Sequence, residues 1–184
     1  LKDKKINLIM DVGSSPNKKF SEEYQAGALS FEFVSNGKKI FTNSGIYDNE
    51  NDKFKEVSRA SAVHNVLIVD DNSSCKFIRN SLAKFEIKDG LKTNTKRISF
   101  EKDKWEIIAS HNGYLQKYSL IYERHIKFFP KINKLIGIEK LNSKEIAPNI
   151  KFDIRFHLNP FVKLMKTQDQ KSVLIDIDTE GWKF

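Results

Sequence analysis

The chain has 184 residues, with 32 Lys and Arg against 24 Asp and Glu and a formal net charge of +8 at pH 7. That length supports one domain with a real core, and its one cysteine, Cys75, excludes an internal disulfide framework and a Cys-rich zinc site. No apolar run is long enough to span a bilayer as a helix.

The excess Lys is scattered along the sequence, the usual pattern of a solvated surface. Were that charge functional, acidic polysaccharide and nucleic acid would be the candidate partners, and no nucleic-acid motif accompanies it. Cys75 is read as chemically inert.

In chain order, short β-rich runs alternate with turn residues. Strands are predicted near residues 6–10, 28–34, 39–42, 63–69, 83–87, 96–101, 105–110, 117–122, 126–129, 135–141, 150–158 and 172–177. In Leu29-Ser30-Phe31-Glu32-Phe33 the apolar side chains fall on one face. The breaks carry turn chemistry: Ser35-Asn36-Gly37, Asp70-Asp71-Asn72, Lys88-Asp89-Gly90, Pro130-Lys131 and Thr179-Glu180-Gly181. Helical periodicity is nowhere sustained, and its best candidate is residues 20–26. Residues 47–56 read as a long polar loop. Many short strands without alternating helices predict an all-β antiparallel sandwich, with residues 1–184 as one domain and no internal repeat.

The segment that concentrates chemistry runs from Arg59 to Asp71, where a small-residue approach, Ala60-Ser61-Ala62, leads through Val63 and His64-Asn65 into Val66-Leu67-Ile68-Val69. This is a loop feeding a buried strand, with an imidazole at its start. Such a histidine can be a general acid or base, a charge-neutralising donor or a metal ligand, or a ring satisfied by a backbone carbonyl. His111-Asn112 opens a similar junction ahead of Gly113-Tyr114 and carries the same alternatives. Arg59 can clamp a carboxylate with a bidentate fork or pair with a nearby acid. Asn43-Ser44-Gly45 reads as a structural turn, His157 at the end of an apolar strand as structural, and Glu123-Arg124-His125 as a polar strand face or a bulge. A metal site needs three or more donors; the two histidines with Asp70 and Asp71 supply candidates without a motif.

Taken in order, these segments resemble the heparinase II/III-like family of polysaccharide lyases, through its C-terminal β-sandwich domain. Ala26-Gly27-Ala28-Leu29-Ser30-Phe31-Glu32, Lys38 to Tyr47, Arg59 to Asp70, Ala109 to Tyr114, Phe156 to Pro160 and Glu180 to Phe184 each resemble a family segment, in the same order. The resemblance implies a piece of a larger protein, truncated at both ends, whose N-terminal α/α-toroid lies outside this chain. It implies β-elimination on an acidic, uronate-containing polysaccharide such as a glycosaminoglycan or alginate, the sandwich alone being inactive. It implies His64 as the catalytic histidine across the cleft and Arg59, Asn65 and Tyr114 as substrate contacts. It further implies a possible divalent metal (zinc or calcium) held by His64 and His111, and a periplasmic, bacterial location. The toroid of the same protein and the polysaccharide are the implied partners. Three positions depart from the family pattern: Ala62, where some members have a second histidine, Asn112 in place of Asp, and His125 in place of Arg. The competing readings are a carbohydrate-binding or structural sandwich without catalysis, and a protein-interaction module. The lyase reading predicts a partly accessible His64 on a concave surface beside Arg59 and His111.

Overall fold

Alternation along each strand sets the architecture seen in a computed structural model, which describes residues 1–2, 5–47, 52–82, 84–143, 149–178 and 180–184. In β2 (Phe31–Ser35) every second side chain is buried, so the strand offers one face to a core. It pairs antiparallel with β1 (Ile6–Met10) on one side and β3 (Lys38–Phe41) on the other. Asn36 and Gly37 join β2 to β3 with φ of +46° and +76°. Both central residues of a type I′ hairpin turn need that left-handed conformation.

The second layer is a four-stranded antiparallel sheet of β7 (Thr93–Phe100), β8 (Trp105–His111), β9 (Leu120–Phe129) and β10 (Lys134–Ser143), in the order β10-β9-β8-β7. Its inner face contributes Trp105, Ile107, Ile126 and Phe128 to a core shared with Ile6, Leu8, Phe31, Phe33, Ile40 and Phe41 of the first sheet. Phe33 bridges the layers, 6.0 Å from the Phe128 ring and edge-on to Trp182 at 5.1 Å. This is the all-β antiparallel sandwich that the strand pattern predicts.

Smaller pairings close the periphery. β4 (Leu67–Val69) pairs with β11 (Phe152–Ile154), β5 (Lys76–Arg79) with β6 (Phe85–Asp89), and β12 (Lys163–Lys166) with β13 (Val173–Asp176) and then β14 (Gly181–Lys183). The helices are α1 (Asp52–Ser58) and α2 (Leu115–Tyr118), and neither is long and apolar enough to cross a membrane.

Several expectations need correction. Residues 20–26 form no α-helix; Phe20 ends a 3-10 turn at Lys18–Phe20. The polar run at 47–56 enters α1 from Asp52, and positions 48–51 lie outside the described residues. The strand expected at 117–122 begins as α2, which stops at Ser119 (φ +57°) and hands over to a ten-residue β9 that absorbs the run at 126–129. The run at 150–158 contributes only Phe152–Ile154, and β5, β12 and β14 carry too little apolar alternation to be recognised.

Candidate functional site

The small residues before His64 are a packing requirement. Residues Ser61–Val63 make a 3-10 turn, and Ser61 is wholly buried inside it. Its hydroxyl donates to the Ala26 carbonyl (2.7 Å) and accepts the Ser74 N–H (2.9 Å), while its own N–H donates to Ser73 Oγ (3.0 Å). A bulkier side chain would separate these three segments. The turn delivers His64 onto Gly27: a Cβ built on Gly27 would lie 3.2 Å from His64 Cγ and 3.3 Å from Nδ1. The imidazole therefore rests on bare backbone, which accounts for glycine between Ala26 and Ala28.

His64 is only 2% exposed, and its Nε2 has no hydrogen-bond partner. Burial, and secondarily the neighbouring His157, pulls its pKa down to about 4, so the ring is neutral at ordinary pH. His157 donates from Nε2 to the Ala62 carbonyl at 3.0 Å. An unpartnered polar atom of this kind costs free energy that folding does not recover, so it needs a reason.

The next residue, Asn65, is a junction. Its backbone N–H donates to Asn43 Oδ1 (2.9 Å), its Nδ2 donates to the Phe31 carbonyl (2.9 Å), and its Oδ1 accepts the His157 N–H. Asn43 is fixed in turn, its N–H donating to Glu32 at 3.1 Å. Four segments singled out by sequence, around residues 31, 43, 65 and 157, thus meet at one residue.

Beneath them lies Arg124, fully buried on the inward face of β9. It donates to the Leu29 carbonyl (2.7 Å) and the Asn65 carbonyl, and makes an ion pair with Glu139 of β10 at 2.8 Å. Tyr122 donates to the same carboxylate at 2.6 Å. This ion pair is absent from the sequence expectations, yet it left a signal. Leu120, Tyr122, Ile126 and Phe128 alternate inward, and Arg124 occupies the same parity.

Arg59 and Tyr114 come together elsewhere. Both line an open polar cleft of about 680 Å³, with Asn72, Lys76, Asn112 and Lys117 among its walls. Neither is a free arm. Arg59 is 5% exposed, donates to the Tyr24 carbonyl at 2.8 Å, and lies over the Phe85 ring at 5.0 Å. The Tyr114 hydroxyl donates toward the carbonyls of Leu67 (3.2 Å) and Asn72 (3.3 Å). His111 stands behind this cleft, buried between the rings of Tyr114 and Tyr122 at 5.5 and 5.1 Å. Its Nδ1 accepts the Gly113 N–H at 3.0 Å, so the ring proton sits on Nε2. Burial brings its pKa down to about 4 as well.

One expectation is therefore corrected. His64 is buried rather than partly accessible, its ring pressed onto Gly27. The side chain of Asn65 bonds the Phe31 carbonyl and the His157 N–H. The donors named for a metal do not fit one. His111 spends Nδ1 on Gly113, and among the described residues no three His, Cys, Asp or Glu side chains gather as a metal-holding set. Asp70 and Asp71 face Tyr118 and Lys151 instead, with Tyr118 donating to Asp70 at 3.1 Å.

Comparison with known proteins places this arrangement. The profile of the family described as "Heparinase II/III-like, C-terminal" matches residues 1–184. Among solved structures, the chain is similar to a crystal structure of heparinase III, with a TM-score of 0.66 and 16% identity over 94% of this chain and 24% of that one. It is also similar to the heparan sulfate lyase HepC from Pedobacter heparinus, with a TM-score of 0.63 and 14% identity over 85% of this chain and 22% of that one. At such identities the likeness shows the fold, and the chain spans less than a quarter of either protein. A comparison with curated protein sequences gave no match.

Proposed function

The chain belongs to the heparinase II/III-like family as its C-terminal domain, and from that premise we propose that it is the β-sandwich half of a polysaccharide lyase acting on uronate-containing polysaccharide. The observation that carries this reading is the unpartnered Nε2 of His64, on a neutral imidazole inside a segment that resembles the family's own.

β-Elimination removes the proton α to the uronate carboxylate and breaks the bond to the glycosidic oxygen on the neighbouring carbon. The leaving oxygen then takes a proton. A neutral imidazole accepts the α-proton, and the imidazolium so formed can give that proton to the leaving oxygen. With a pKa near 4 the ring of His64 is a weak base as it stands. A uronate carboxylate brought beside it favours the charged imidazolium and raises that pKa toward the working range. Gly27 supports one face of the ring while this happens. Arg59 and the lysines of the polar cleft supply positive charge near the path of an anionic chain. An N-terminal toroid would provide the remaining catalytic groups.

A structural sandwich is the second reading, favoured by the 2% exposure of His64 and by the internal commitments of Asn65 and Tyr114. His64→Ala separates the two, tested in the protein that joins this domain to its N-terminal part. Loss of unsaturated product with an unchanged melting temperature supports catalysis. A normal rate of product release would leave only the structural role.

A further inference from the structure

Lysines that are scattered in sequence converge on the outer face of the four-stranded sheet. Glu106 and Glu123 stand on that face with side chains only 6% exposed. Around Glu106 lie Arg97 (3.0 Å), Lys104 (3.5 Å) and Lys127 (3.5 Å). Around Glu123 lie Lys96, Lys140 (3.6 Å) and His125 (2.7 Å). Glu101, at the edge, also reaches Arg97 at 3.6 Å. Five cations against three carboxylates leave two net positive charges with His125 neutral.

The layering matters more than the count. The two central carboxylates form a floor, while the cationic side chains above them are 29% to 51% exposed. The cations come from β7, the turn before β8, β9 and β10, so they cross the whole sheet. Glu106 stands opposite Lys127 and Glu123 opposite Lys140, which sets the two clusters about 14 Å apart along the strands. Half-buried Ile108 and Ile138, level with His125, fill the ground between. Each cation is held by a carboxylate beneath it, so less side-chain freedom is lost when an anion docks on top.

We propose that this outer sheet face is an accessory binding site for an anionic polysaccharide, separate from the candidate site around His64. The partner class follows from the face's charge and side chains. Among the described residues no exposed aromatic platform on which nucleic-acid bases stack stands on this face, and its charge suits sulfate or carboxylate groups along a flexible chain. Choosing polysaccharide over nucleic acid leans on the proposed function; the existence of the site does not.

The test measures binding by the 184-residue chain and needs no cleavage, so its failure and that of the lyase reading can be told apart. The probes are a heparin decasaccharide, an oligogalacturonate and duplex DNA of similar charge. A triple Lys104→Gln, Lys127→Gln, Lys140→Gln variant is compared with a control triple Lys166→Gln, Lys171→Gln, Lys183→Gln, all exposed lysines on other strands and turns. The face triple is expected to weaken polysaccharide binding by about tenfold and to flatten its salt dependence, while the control changes it by less than about twofold. The two saccharide arms identify sulfate or carboxylate as the preferred anion. A Lys→Arg triple at the same three positions keeps both fold and binding, which guards against loss through unfolding. Equal losses in both Gln triples, no saccharide binding by the wild-type chain, or tighter binding of DNA than of either saccharide would overturn the proposal.

Discussion

Gly27→Ala tests the contact on which the His64 site is built. The added methyl would sit 3.2 Å from Cγ and 3.3 Å from Nδ1 of a buried ring, tighter than ordinary van der Waals contact. Gly27 has φ outside the left-handed region, so alanine costs nothing in backbone geometry there. Overpacking of this kind costs about 1–3 kcal/mol. The reduced freedom of the unfolded chain returns about 0.4–1 kcal/mol. The net is a destabilisation of about 1–2 kcal/mol, or a fall of about 2–8 °C in Tm for a chain of this size. In a His64→Ala background the ring is gone, and Gly27→Ala becomes neutral or stabilising by up to about 1 kcal/mol. The four proteins of this double-mutant cycle, unfolded in urea, are thus expected to show a coupling of about 2 kcal/mol. An equal cost of Gly27→Ala in both backgrounds would mean that the ring does not rest on residue 27.

Two further predictions concern buried charge. Glu139→Ala leaves the Arg124 charge uncompensated inside the sandwich and is expected to cost about 3–5 kcal/mol, read by urea unfolding; a cost below about 1 kcal/mol would show that Glu139 is not what balances that charge. The histidines set an acid limit. Burial holds both His64 and His111 near pKa 4, below the value of about 6.5 expected unfolded, so the unfolded chain binds more protons between those values. Their stabilising neutral form is fully present above about pH 6.5 and is lost as pH falls toward 4, by about 3 kcal/mol per ring. Stability measured across that window should fall steeply in the wild type and more gently in His64→Gln and His111→Gln. A flat profile would show that the rings are already hydrated.

The sandwich was legible because strand alternation is a local property, and Phe31-Glu32-Phe33 shows it within three residues. The short strands β12 and β14 were not, since their pairing comes from the register with β13 rather than from their own sequence. The histidine at the head of β4 stood out, but its burial did not, because the surface its ring rests on comes from Gly27, far along the chain. Arg59 and Tyr114 line one cleft, held there by the Tyr24, Leu67 and Asn72 carbonyls, which sequence spacing does not reveal. The clustering of lysines was hidden for a similar reason: Lys96, Lys127 and Lys140 come onto one face only when four strands pair.

The most direct measurement is ultraviolet absorbance in the band of unsaturated uronate. It is recorded while the protein carrying this domain and its N-terminal part is incubated with heparan sulfate, heparin, hyaluronan, alginate and pectate. The account predicts a rise on at least one polymer that His64→Ala abolishes without lowering Tm by more than a few degrees. Absorbance that rises equally in the His64→Ala protein would contradict the role given to that imidazole, and no rise on any polymer from the folded wild type would contradict the lyase reading itself.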